Sequence, residues 1–330
     1  MSYPPDEQVV ELIRLVRSGE EANFQQALLV AERLGSPPAF QKYLEELLIL
    51  YQAACDSRRN EINAAAVTEL FQITHLEIQA NLTALPESLG QLHKLQEFHS
   101  YKNPLQALPE SLGQLRKLQV LSCNKNRLQS LPQSLGALNS LKILSCFNNL
   151  LKTLPESVGQ LQNLMILNCD RNQLQTLPES LGQLRNLQKL DCSFNQLKTL
   201  PESLGQLQNL QKLDCFSNQL QSLPESLGWL QALTSLDCAN NQLQALPENL
   251  AGLQSLKRLN CSGNQLKILP KSVGALHSLQ ELTCSKNQLQ ALPESLVGLP
   301  KLKKLDVRNN HFVHVPPALR QKKGLELLVD

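Results

Sequence analysis

Aromatic residues are scarce. They make up 4% of the 330 residues, with one Trp and eight Phe, so the chain lacks the varied core common in globular enzymes. An excess of charge of either sign is missing too. Lys and Arg number 31 against 29 Asp and Glu, a formal net charge of +2, which removes charge-driven binding to nucleic acid or membrane. The charged fraction is 18%, below the ~25% of ordinary domains, so the chain is not a disordered polyelectrolyte. The longest apolar stretch, near residues 47–55, is broken by Gln52 and falls short of the ~20 residues of a membrane helix. The start, Met1-Ser-Tyr-Pro-Pro, has neither a basic cluster nor an apolar run, so no secretory signal is visible and a soluble cytoplasmic protein is expected. Phosphate loops, His-Glu-x-x-His, Gly-x-Ser-x-Gly and dinucleotide glycine patterns are all missing. The expectation is therefore a protein that is not an enzyme, with no catalytic residues, no cofactor and no metal.

What is abundant is Leu, 73 residues of it. The pair Leu-Pro recurs every 23 residues from Leu85 to Leu292, ten times without a break, and Val315-Pro316 continues the series. On this period the unit reads L-x-x-L-x-C-x-x-N-x-L-x-x-L-P-E-S-L-G-x-L-x-x, as in Leu187, Leu190, Cys192, Asn195, Leu197 and Leu200-Pro201. The unit resembles the leucine-rich repeat family, with Cys in the third Leu position. Its ending is similar to the LPxx(I/L)GxL subtype of many bacterial proteins and of Ras-group scaffolds, and the near-identical LPESLGQL units look bacterial. The resemblance covers residues 73–330 and implies an α/β solenoid: a leucine-rich repeat horseshoe with a parallel concave sheet and an N-terminal helical cap.

Elementary physics leads to the same fold. Alternation at Leu190-x-Cys192 sends both side chains into one face of a short strand. Such a strand buries little alone, but coils stacked at ~4.8 Å share one continuous core, and twelve strands span roughly 55 Å. Pro-Glu-Ser-Leu-Gly must carry the chain across the convex side, with Leu204 and Leu207 turned inward. Asn recurs on the same period from Asn103 to Asn310. Beside buried Leu its amide must be hydrogen-bonded, since an unsatisfied one costs ~1–3 kcal/mol, and an amide can bridge adjacent backbones. The family resemblance implies such an asparagine ladder, with a structural role.

Eight of the nine Cys, Cys123 to Cys284, are 23 apart. They read as small buried hydrophobes in a Leu slot. Parallel side chains do not converge as metal ligands must. Unpaired thiols in this number suit a reducing compartment. Cys55 stands outside the array.

Residues 1–72 read as an α-helical capping region and 73–330 as the solenoid, with about eleven full repeats and a partial terminal one. Helices are expected over an apolar-periodic run after Asp6 and ending at Gly19, over 20–34 before Gly35, from Ser36-Pro37 onward, and from about Ser57 to Phe71. The first strand, Ile73-x-x-Leu76-x-Ile78, is followed by Asn81-Leu82-Thr83, a glycosylation sequon discounted because Asn81 is placed in the ladder. At the other end Leu325 and Leu328 fall in the next register, and the basic tail there reads as a solvated cap.

With core positions fixed, function should lie in the outward strand positions that vary. Val120, Ile143 and Ile166 form an apolar column, and Tyr101, Phe147, Phe194 and Phe216 lie on or beside the same surface; such a patch marks a protein contact. Asp191, Asp214 and Asp237 form an acidic row that hints at a cationic partner, although Lys189 and Lys212 are placed to offset two of them. These ten residues are the expected partner-binding set. Trp229 is expected to pack within its loop, and His311 and His314 to be surface histidines. The function expected is a non-catalytic interaction module gripping a protein or peptide on the concave surface. The alternative, suggested by the abrupt end at Asp330, is a regulatory or substrate-recognition region of a larger signalling enzyme such as a GTPase, kinase or ubiquitin ligase.

Overall fold

The computed structural model describes residues 5–55, 58–79 and 81–330. They form two compact units: residues up to 128 with 132–141, and residues 129–131 with 142–330.

The first unit begins with four helices, α1 (Pro5–Arg17), α2 (Glu21–Arg33), α3 (Pro38–Ala54) and α4 (Ala64–Leu70). Gly19 and Gly35, at φ 70° and 76°, end the first two in the left-handed conformation that glycine tolerates. The fourth starts later than its expected limit near Ser57, a residue outside the described ones. Its cap is Asn63, whose side chain accepts the Ala66 N–H at 2.9 Å. Three parallel strands follow, β1 (His75–Ile78), β2 (Glu97–Ser100) and β3 (Val120–Ser122). Helix α3 rests on β1 and on the turn at Glu87–Gln91. There the Tyr43 hydroxyl donates to Gln91 Oε1 at 2.7 Å and the Ser88 N–H to Glu46 Oε2 at 3.1 Å.

The second unit continues with β4 (Ile143–Ser145), β5 (Ile166–Asn168), β6 (Lys189–Asp191), β7 (Lys212–Asp214), β8 (Ser235–Asp237), β9 (Arg258–Asn260), β10 (Glu281–Thr283), β11 (Lys304–Asp306) and β12 (Glu326–Leu328). Each pairs in parallel with the next. From β4 to β11 the register advances by the 23-residue step, as in Leu190↔Leu213. The last pairing differs from expectation. Leu305 faces Leu327, and Leu328 faces Asp306, because the loop carrying the short helix α5 (Pro317–Arg320) is one residue shorter than the period. A one-residue slip exchanges the inner and outer faces, so Leu327 takes the core slot expected for Leu328.

One coil explains the others. Leu187, Leu190, Cys192, Leu197, Leu204 and Leu207 are all buried. The Pro-Glu-Ser-Leu-Gly segment forms a 3-10 turn, Glu202–Gln206, and Leu204 and Leu207 point inward as expected. Gly182 permits close stacking of successive turns: a Cβ there would lie 2.5 Å from the Ser203 carbonyl oxygen. In several turns the Glu caps the next, as Glu202 Oε2 accepts the Ser226 N–H at 3.2 Å.

Asn172 shows the ladder. Its Nδ2 donates to the carbonyls of Cys146 (3.0 Å), Cys169 (3.1 Å) and Asp170 (3.2 Å), and its Oδ1 accepts the Leu151 N–H at 3.0 Å. The amide thus joins two coils and leaves no buried polar atom of its own unpaired. Asn81 does not belong to this ladder. It is exposed and takes a left-handed turn position, φ 55°, because the first coil is one residue short.

The eight thiols of the array are buried, and several have a partner the periodicity did not reveal. Cys169, Cys192 and Cys215 each donate Sγ–H to the carbonyl of the residue across the next strand, Asp191, Asp214 and Asp237, all at 3.3 Å. Burial raises the thiol of Cys123 to about 12 and holds those of Cys169 and Cys215 well above the ordinary value. They are packing groups and poor nucleophiles.

Candidate functional site

The outward face of the second unit is a grid fixed by the core. Residues two apart on a strand share a face, and in-register parallel strands place equivalent residues side by side. Ile143 and Ile166 are therefore Cα partners across β4 and β5, and Asp191, Asp214 and Asp237 stand in one row across β6, β7 and β8. Ile143, Phe147 and Ile166 are half-buried on this face. Tyr101 and Val120 belong to the first unit and are also half-buried; there the Lys125 ammonium sits 5.4 Å from the Tyr101 ring centroid.

Beyond each strand from β4 to β11 the chain turns through a left-handed residue. The occupants of this slot include Asn148, Ser217, Asn240 and Gly263, all small or turn-forming, but also Arg171 at φ 52° and Phe194 at φ 50°. Left-handed backbone is costly for a bulky side chain. Phe194 nevertheless projects there with 39% of its surface exposed. Two neighbours hold it: the Arg171 guanidinium lies 4.3 Å from its ring centroid, and the Phe216 ring meets it edge-on at 5.1 Å. Of the ten expected residues, Phe194 and Phe216 thus form a built cluster, and Arg171 is a member that the sequence reading left outside the site. The left-handed geometry that brings these residues together leaves only a weak trace in the sequence, the run of Asn, Ser and Gly in the same slot.

The acidic row has a local explanation as well. Oδ1 of Asp191, Asp214 and Asp237 accepts the backbone N–H two residues on, from Ser193 (3.3 Å), Phe216 (3.1 Å) and Ala239 (3.0 Å). Asn168 and Asn260 do the same for Asp170 and Ser262, so this column favours Asp or Asn for turn chemistry. Lys189 Nζ lies 3.8 Å from Asp191 Oδ2. Burial, with the charges of Asp191 and Asp237 adding to it, pushes the Asp214 carboxyl up to about 6. Trp229, expected to pack in its loop, is instead 59% exposed. His311 and His314 are exposed.

Three overlapping matches to the family model described as "Leucine-rich repeat region" span residues 36–149, 121–220 and 213–307. The chain belongs to the leucine-rich repeat family. No curated protein sequence matches it significantly. Among solved structures, this leucine-rich repeat chain is similar to a leucine-rich repeat protein of Leptospira interrogans, with 29% identity, a TM-score of 0.55 and coverage of 81% of this chain and 87% of that one. It is similar to the functional domain of InlJ from Listeria monocytogenes, a structure described as including a cysteine ladder (25% identity, TM-score 0.63, coverage 82% and 60%). It is also similar to the Arabidopsis receptor kinase HAESA, solved with the peptide hormone IDA and the co-receptor SERK1 (27% identity, TM-score 0.65, coverage 78% and 46%). The chain spans about half the length of that structure and of the plant peptide hormone receptor RGFR1. The leucine-rich repeat fold is typical of interaction modules and is generally a non-catalytic scaffold. No helix among the described residues is long and apolar enough to cross a membrane.

Proposed function

We propose that the chain is a non-catalytic recognition module whose outward strand face in the second unit binds a protein or peptide segment, with Phe194 and Phe216 as anchors. The observation that carries this reading is Phe194 itself. Nothing in the coil requires an aromatic at a left-handed position, and the core is complete without it. A side chain held there against backbone strain and left accessible is the pattern of a contact residue. The half-buried Ile143 and Ile166 extend apolar surface on the same face, and the row from Asp191 to Asp237 favours a segment carrying Lys or Arg beside an apolar or aromatic residue. The HAESA structure, solved with a peptide hormone, supports a peptide as the class of partner.

The test is selection of a randomised peptide library on the immobilised protein, run in parallel on Phe194→Asn/Phe216→Ala. The proposal expects enriched sequences that pair an apolar or aromatic residue with a basic one and are lost on the double variant. Equal enrichment on both proteins would refute it.

A further inference from the structure

The first unit carries a separate cluster that the partner reading leaves unused. Strands β1 and β2 are in parallel register with His75 opposite Glu97 and Glu77 opposite His99. All four project on the same outward face, since residues two apart on a strand share a side. The structure draws three of them to one point. His75 Nδ1 lies 3.2 Å from Glu97 Oε2, and His99 Nε2 lies 3.6 Å from that same oxygen. The two imidazole rings are 5.1 Å apart between centroids, and one donor atom from each of the three residues falls within 4.8 Å of the others. Glu77 stands apart, accepting a hydrogen bond from Gln79.

We infer that His75, Glu97 and His99 form a binding site for a divalent transition-metal ion, with Zn²⁺ as the ligand of choice. The chemistry of the donors is the first ground. Two neutral imidazoles and one carboxylate suit zinc, and three protein ligands leave its fourth position open to water or to a group from a bound molecule. Distance is the second. Bonds of ~2.0–2.2 Å in a tetrahedron separate ligand atoms by about 3.3–3.5 Å, and the observed 3.2 and 3.6 Å bracket that value. The two histidine donor atoms lie within 4.8 Å of each other, so closing that edge by at most about 1.5 Å completes the set. Rigidity is the third ground. The ligands stand on neighbouring strands whose inward residues, Leu76, Ile78, Phe98 and Ser100, are fully buried, so the site is held by the core and not by a loop. Accessibility is the fourth: His75, Glu97 and His99 are 54%, 49% and 29% exposed, so an ion can enter directly. The periodic sequence hides this site because its members lie 22 and 24 residues apart and meet only through strand register.

The experiment is titration of the full chain, in a Cys55→Ser background that removes the exposed thiol, with ZnCl₂ by calorimetry and with Co²⁺ by visible absorption. The inference expects one equivalent bound and a Co²⁺ spectrum of low coordination number. Each of His75→Ala, His99→Ala and Glu97→Gln should weaken binding at least tenfold, while circular dichroism stays that of the parent. Zn²⁺ should raise the melting temperature of the parent and not of the variants. Absence of stoichiometric binding, or binding that survives all three substitutions, would overturn it.

Discussion

The ring of Phe194 lies under the guanidinium of Arg171, 4.3 Å from it, and both residues occupy left-handed backbone, at φ 50° and 52°. Left-handed strain for a non-glycine residue is worth about 1–2 kcal/mol. The cation–π and ring–ring contacts return about 0.5–1 and 0.5–1.5 kcal/mol respectively. Relief of strain and loss of contacts therefore nearly cancel in Phe194→Asn. Urea denaturation should show a stability within about 1 kcal/mol of the parent, and a large loss would mean that Phe194 is a packing residue.

The amide of Asn195 makes the same pattern of bonds as Asn172, to the carbonyls of Cys169, Cys192 and Ser193 and from the Leu174 N–H. In Asn195→Leu the three carbonyls keep other donors, the Asn172 and Asn218 amides and the Arg171 N–H, but the Leu174 N–H loses its partner in a dry interior. A cost of about 1–3 kcal/mol is expected, readable as a lowered denaturation midpoint. An unchanged midpoint would remove the ladder from the stability of the fold.

Thiol accessibility gives a third outcome. Cys55 is exposed and the other eight are buried. A thiol reagent at neutral pH should titrate one group in the native protein and all nine of the sequence in denaturant. Rapid modification of several native thiols would contradict the packed column.

Stability should also depend on pH through Asp214. Its folded-state value is raised from 3.8 to about 6, so between these values the native state holds a proton that the unfolded chain has released. Stability is then greatest at the acid end and falls as pH rises through about 6, by at most about 1.4 kcal/mol per pH unit. In Asp214→Asn that contribution to the slope disappears. A denaturation series from pH 4.5 to 7.5 on both proteins measures the difference, and identical slopes would place the Asp214 carboxyl in a more solvated setting.

Much of the fold was legible because a solenoid repeats its rules. Leu190, Cys192 and Asn195 each recur at fixed spacing, so period two gave the strand, the Leu-Pro pair gave the turn and the lone amide demanded partners. The ends were less legible, since a change of one residue breaks the period. Leu327 replaces Leu328 in the final core slot, and Asn81 sits in a turn and not in the ladder. The outward columns were legible as positions but not as chemistry. Asp191 and Asp214 are explained first by the backbone N–H two residues on, a contact that leaves no mark in composition. Arg171 joins the site only through the left-handed backbone that brings its guanidinium onto Phe194, which the periodicity does not encode. His75, Glu97 and His99 meet through register alone.

The most direct test of the recognition reading is the affinity of one selected peptide, measured by fluorescence polarisation, for Phe194→Asn/Phe216→Ala and for Trp229→Ala. Trp229 is the more exposed aromatic but lies on a 3-10 turn away from the strand face. Binding should weaken at least tenfold in the double variant and stay within about twofold in Trp229→Ala, as expected when a few anchors dominate. The opposite pattern, or equal affinity for all three proteins, would contradict the strand face as the place where a partner is held.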